Sequence, residues 1–183
     1  MHLEQLETID GKQVFLLAEL LTREECKTFI ELLDEEDELV DVDRGFSKYK
    51  RNIMISETWA QIIWERVNIL FHHSIRSRLY VNDHFRFSKY LPGQFFDVHT
   101  DGVNQDSKGG KSAMTINIFL NDSFQGGETD FLDKHKTLNL SAKPAPGRAA
   151  IFDRQVYHRG NCVREGFKYL LRTDVMVNNI NTH

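Results

Sequence analysis

Three things are scarce in this sequence. There are 2 cysteines in 183 residues, Cys26 and Cys162, far apart and in no C-x-x-C pair, so neither a disulfide framework nor a structural zinc site is indicated. Both are expected as buried thiols. No window approaches the roughly 18 apolar residues needed to span a bilayer, and the acidic N-terminus MHLEQLETIDGK has no signal-peptide core. A cytoplasmic protein with no membrane partner is expected. Basic excess is also missing: 23 Lys and Arg against 27 Asp and Glu leave a net charge of -4, the wrong balance for neutralising phosphates. No nucleic-acid partner is expected.

What is present is apolar and aromatic, at 40% and 11% of residues, enough for one sizeable core. A single domain over 1–183 is expected, with 1–79 as a helical support region and 80–177 as a β core. Thr22 followed by Glu25 fits a capping box, and Cys26, Phe29, Ile30 and Leu33 keep helical spacing, which predicts a helix from Thr22 to Glu36. A second helix is expected from Ser56 through Trp59, Ile63, Val67 and Phe71 to the basic turn around Arg76. The DRGFSKYKRN stretch at 43–52 reads either as a solvated loop or edge strand, or as a lid over a pocket.

After residue 80 short β-branched and aromatic runs alternate with turn residues. Strands are expected over 84–91, 95–100, 113–120, 129–132, 137–140, 149–153, 156–163 and 168–177. Eight short strands after two helices suggest an antiparallel sandwich or barrel with helices on one face. The polar DGVNQDSKGGKS at 101–112 reads as a mobile loop.

Within FFDVHTDGV at 95–103, two polar side chains interrupt an apolar strand. Residues two apart in a strand share a face, so His99 and Asp101 would present an imidazole and a carboxylate together, with Phe96 and Val98 packing on the other side. Alone the pair is weak, since 8 His and 14 Asp give roughly 0.6 such pairs by accident. His158 in a later strand supplies a third donor. Two imidazoles and a carboxylate with open positions suit a non-haem Fe(II) oxygenase; zinc hydrolysis is the competing use. Lys168 and Arg172 share parity on the last strand, so either could meet a carboxylate of 2-oxoglutarate, with Tyr90 as a further donor.

These residues fall in segments that resemble the 2-oxoglutarate and Fe(II)-dependent dioxygenases of the prolyl 4-hydroxylase type, over roughly 80–177. YLPGQFFDVHTDG resembles that group's Y-x-x-G-x-F-x-x-H-x-D, FLNDSFQGGETDF its G-G-E-T turn, PAPGRAAIFD its P-x-x-G-x-A-x-x-F strand, and HRGNCVREGFKYLLRTDVM its histidine-to-lysine segment. Four fragments in order make the resemblance specific. SETWAQIIWERVNIL, NDHFRFSKY and the ending K-Y-x-L-R-T-D-V-M are similar to a less characterised branch, for which collagen is not the expected substrate.

The resemblance implies a mainly β fold with flanking N-terminal helices, the double-stranded β-helix of jelly-roll and cupin-like barrels. It implies metal ligands His99, Asp101 and His158, and 2-oxoglutarate contacts from Lys168, Tyr90 and Thr115, with Arg172 as the alternative anchor. It also implies Fe(II), 2-oxoglutarate as co-substrate and O2, with ascorbate as a possible auxiliary reductant. The implied reaction hydroxylates a protein or peptide side chain, with proline one candidate, and releases succinate and CO2. A free amino acid or other small molecule is the alternative substrate, and a non-catalytic jelly-roll binding module the alternative class. Arg86, Arg44 and Lys48 are candidate substrate contacts. Nothing in the sequence sets the oligomeric state.

Overall fold

The computed structural model describes residues 2–35 and 39–178. Two strands, β1 (His2–Ile9) and β2 (Lys12–Ala18), precede helix α1 (Arg23–Glu35), and β3 (Val40–Asp43) and β4 (Lys48–Ile55) follow it. Helices α2 (Glu57–Val67) and α3 (His73–Arg76) lead into β5 (Leu79–Val81), β6 (His84–Tyr90), β7 (Phe96–His99) and β8 (Lys111–Phe119). The remaining strands are β9 (Phe124–Gly126), β10 (Thr129–Leu132), β11 (Leu138–Ala142), β12 (Ala149–Asp153), β13 (Tyr157–Gly160), β14 (Val163–Gly166) and β15 (Lys168–Val177). A nine-stranded sheet runs β1-β2-β12-β8-β15-β6-β4-β3, with β5 also on β15; it faces a four-stranded sheet, β11-β10-β13-β7.

The large sheet is apolar on both faces. Phe15, Leu17, Ile151 and Leu171 join the helices' Phe29, Leu33 and Ile63 in one core. Their strand neighbours Val14, Leu16, Phe152 and Leu170 pack instead with Phe131 and Leu140 of the small sheet in a second core. Alternate side chains therefore feed two cores, and the pocket opens between the sheets beside the second one.

The N-terminal region departs from expectation. Four strands, β1 to β4, lie in what was expected to be helical support. The β1–β2 turn is Asp10-Gly11, both in the left-handed region (φ 50 and 76), the arrangement a two-residue hairpin needs. Helix α1 begins as expected: Thr22 Oγ1 accepts from Glu25 N (3.1 Å) and Glu25 Oε2 from Thr22 N (2.8 Å). Its expected end, Glu36, lies outside the described residues.

The expected second helix breaks after Val67, where the Asn68 side chain donates to the carbonyls of Trp64 (3.1 Å) and Glu65 (3.0 Å) and ends the ladder. The expected strand 156–163 also splits. Its second half leaves for β9 after Asn161, whose amide and side chain bond Glu128 O (2.8 Å) and Asp130 (3.0 Å).

Candidate metal centre

β13 lies between β10 and β7, and its pairing sets His158 directly opposite His99. Asp101 sits two residues past the end of β7, fixed by its N–H on Arg154 O (2.8 Å) rather than by continued strand pairing. One donor atom from each of the three lies within 4.8 Å of the others. The tautomers follow from the partners. Nδ1 of His99 meets Asp97 O at 2.7 Å and Nδ1 of His158 meets Val156 O at 3.1 Å; a carbonyl only accepts, so both Nδ1 atoms carry the proton. Each Nε2 lone pair is left free, 3.7 Å from one oxygen of Asp101.

Burial pulls His158 down to about 4 and His99 below its ordinary value, against the pull of Asp101. Burial alone would raise Asp101, but the charges of Arg172 and His158 and the Thr115 hydrogen bond outweigh it and hold the carboxyl below the usual range. At neutral pH the site therefore offers two neutral imidazoles and one carboxylate, the forms that ligate a cation.

The inner faces of β6 and β15 continue the pocket: Lys168 stands opposite Tyr90, and Arg172 opposite Arg86. Lys168 is 2% exposed, and among the described residues its ammonium donates only to Gly127 O, at 2.7 Å. Burial lowers it to about 8, with Glu128 pulling the other way. Tyr90, also buried, sets its ring 5.1 Å from the Lys168 nitrogen and stacks on Tyr49. A buried cation without a carboxylate partner is costly, so this end of the pocket fits an incoming anion.

Two expected contacts with 2-oxoglutarate are differently employed. Thr115 Oγ1 donates to Asp101 Oδ2 at 2.6 Å and does not line the pocket. Arg172 reaches Asp101 Oδ1 at 2.9 Å, so it stands at the ligand end of the pocket, away from Lys168.

The pattern of the 2OG-Fe(II) oxygenase superfamily matches residues 85–173, the span that holds all of these side chains. That match spans just under half of the chain, and over it the chain resembles the 2OG-Fe(II) oxygenases. Among curated proteins, a prolyl 4-hydroxylase candidate of Acanthamoeba polyphaga mimivirus is 35% identical over 72 residues, covering 35% of this chain and 28% of that protein. The chain thus matches little more than a quarter of that relative's length.

Among solved structures, the viral collagen prolyl hydroxylase of Paramecium Bursaria Chlorella virus-1, in its 2-oxoglutarate complex, aligns with TM-score 0.63 and 19% identity, covering 94% of this chain and all (100%) of that one. A Pseudomonas putida prolyl 4-hydroxylase aligns with TM-score 0.68 and 15% identity over 91% and 93% of the two chains. A Trichoplax adhaerens prolyl hydroxylase bound to a hypoxia inducible factor peptide gives 0.67 and 13% over 90% and 83%. At these identities the likeness is one of fold, the double-stranded β-helix. The oxygenase family implies Fe(II), 2-oxoglutarate and O2, and the residues fit them: three converging donors in ligating form, and a buried ammonium lacking a carboxylate.

Several surrounding residues fall otherwise than strand parity suggested. Phe96 does not face away from His99; it stacks on that imidazole at 3.8 Å and 8°. One extra residue in β7 between the pairs His158–His99 and Gly160–Phe96 is the reason, since a bulge resets the alternation. Arg44 is exposed and Lys48 pairs with Asp43 (3.0 Å), and neither lines the pocket.

Of the 43–52 alternatives, the edge strand is present as the β3–β4 hairpin, and its Tyr49 and Arg51 form pocket wall. The 101–112 loop is pinned by Asp106, which accepts from Tyr80 (2.6 Å), Lys108 N (3.0 Å) and Gly110 N (2.9 Å). Cys26 is buried as expected, whereas Cys162 is exposed at the turn where β14 departs. Arg51 and Asn117 were not singled out by sequence reasoning. The signal for both was parity with Tyr49 on β4 and with Arg172 across β8 and β15.

Proposed function

We propose that this chain is an Fe(II)- and 2-oxoglutarate-dependent hydroxylase acting on a protein or peptide side chain, proline among the candidates. One observation carries the reading: two Nε2 lone pairs and a carboxylate converge at one end of a pocket whose other end holds a buried, carboxylate-free ammonium. His99, Asp101 and His158 would hold the metal on one face and leave the opposite face to co-substrates. Lys168 would take the distal carboxylate of 2-oxoglutarate, with Tyr90 beside it. When bound, the metal with 2-oxoglutarate and O2 supplies the oxidation of a C–H bond to C–OH, with succinate and CO2 released.

The protein's part is positional. The Asp97 and Val156 carbonyls fix the imidazole tautomers, and Thr115 and Arg172 hold the carboxylate. Phe96, Phe152 and Leu170 keep the surroundings apolar, which limits water at the reacting centre. Two proteins of this fold, solved one with 2-oxoglutarate and one with a peptide, carry the two kinds of ligand that this reading calls for.

The same chemistry on a free small molecule is the second reading, favoured by the polar, arginine-lined wall beside the site. Succinate release should require Fe(II) and rise with a peptide or metabolite extract, alongside a +16 Da product, and His99→Ala should abolish both. Succinate and product undiminished in His99→Ala would refute the reading.

A further inference from the structure

The pocket holds more positive charge than metal and co-substrate account for. Besides Lys168 it is lined by Arg51, Arg86 and Arg172. Arg172 and Arg86 stand opposite each other on β15 and β6, and Arg51 faces Ser88, next along the same face of β6. Strand geometry sets Arg172 and Arg86 about 13 Å along β15 from Lys168, four residues at roughly 3.3 Å each, and Arg51, level with Ser88 and Leu170, about 7 Å from it.

Two carboxylates meet these guanidiniums. Asp101 is a ligand in the proposed reading. Asp174 is shared, 3.5 Å from Arg86 and 3.8 Å from Arg172, and it also accepts from Asn104 at 2.9 Å. Arg51 has neither ion pair nor side-chain hydrogen bond among the described residues, and the Nε of Arg172 is buried without a partner. The acidic residues nearest Arg51 in the fold do not neutralise it. Asp41 and Asp43 alternate with Val40 and Val42 on β3, and they pair with Lys50 (3.7 Å) and Lys48 (3.0 Å) on the opposite side of the sheet. Tyr49 shares the face of Arg51 and lines the pocket, and beyond Arg51 the same face runs out through the exposed Ile53.

We infer that Arg51 and Arg86 form a substrate-anchoring site for a carboxylate, so that the substrate is an acid: either a free carboxylic acid or a peptide bearing Asp or Glu near the oxidised carbon. The inference rests on the oxygenase reading. Arg51 has no counter-ion among the described residues and Arg86 shares Asp174 with Arg172, so the pair is under-compensated, and a carboxylate can take two N–H donors from an arginine at once. Ile53 and Tyr49 flank them with apolar surface for the rest of the molecule.

The test uses anaerobic Fe(II)-loaded protein with saturating 2-oxoglutarate. The panel is N-acetyl amino acids and capped tripeptides carrying Asp or Glu, each beside its amide counterpart, titrated by calorimetry. Carboxylate members should bind and the amides should not. Arg51→Gln and Arg86→Gln should each weaken that binding about 10-fold or more, the size of a lost charge-assisted bond, with 2-oxoglutarate affinity within about 2-fold of the parent.

A free acid binding more tightly than the tripeptides identifies a small acid as the source; the reverse order identifies an acidic peptide. Amides binding as well as acids, binding indifferent to both arginines, or no binding by any carboxylate overturns the inference. Failure of the oxygenase reading appears separately, as missing Fe(II)-dependent 2-oxoglutarate binding, and the panel is then read on unloaded protein with the same outcomes.

Discussion

At the scale of single residues, Lys168 carries the sharpest consequence. Its ammonium is lowered to about 8 by burial, so in ligand-free protein it discharges just above neutral pH. An anion favours the charged form, so 2-oxoglutarate affinity should be constant below about 8 and fall as pH rises through it, about 10-fold weaker at pH 9 than at pH 7. Calorimetry at those two pH values checks this, and Lys168→Met should remove both the binding and its pH dependence. Thr115 has a different consequence. Thr115→Val removes the 2.6 Å bond to Asp101, and metal affinity should drop by about 10- to 100-fold with the fold intact, measured by titration with Fe(II) under nitrogen. The convergence of His99 and His158 and the candidacy of Lys168 were legible in the sequence because these residues sit in short motifs. The employment of Thr115 and Arg172 was not, because strand parity gives the face a side chain occupies but not which neighbour it meets.

At the scale of elements, the start of α1 is a joint as well as a cap. Glu25 closes the capping box and also takes Arg66 of α2 in a two-point contact, Nη2–Oε1 2.6 Å and Nη1–Oε2 2.8 Å, while Arg66 reaches Leu20 O. The Arg66 hydrogen bond, opposed by burial, holds the Glu25 carboxyl below its ordinary value. A depressed folded-state value means stability that is present above the unfolded carboxyl's range and is lost as pH falls through the folded one. Thermal unfolding followed from pH 7 to pH 3 should therefore show a steeper acid loss in the parent than in Glu25→Gln. Thr22→Ala should cost about 1 kcal/mol at neutral pH by the same measurement. This cap was legible because both partners lie within four residues. β2 was not: Val14 to Leu17 are all buried, two facing each core, so the alternation that marks a half-buried strand is missing. The Asp10-Gly11 turn beside it was the available signal.

At the scale of the whole molecule, β2 is a structural strand of the barrel, paired to β12 and carrying side chains into both cores. Removing residues 1–18 would strip five buried apolar side chains, Ile9 and Val14 to Leu17, from their partners. At about 2 kcal/mol each the loss is about 10 kcal/mol, as large as the roughly 5–15 kcal/mol that holds a domain together. Such a truncation should give insoluble or non-cooperatively unfolding protein, judged by solubility and circular dichroism, although it leaves every pocket residue in place.

β15 bears Lys168 at one end and Arg172 near its middle, and it is hydrogen-bonded along its length between β8 on one side and β6 then β5 on the other. A strand clamped in this way works as a caliper with fixed jaws. Adding one residue to it would turn every following side chain to the wrong face. Under the proposed reading, new substrates would be reached by exchanging side chains on β4 and β6 opposite that strand, with the spacing between Lys168 and Arg172 inherited unchanged.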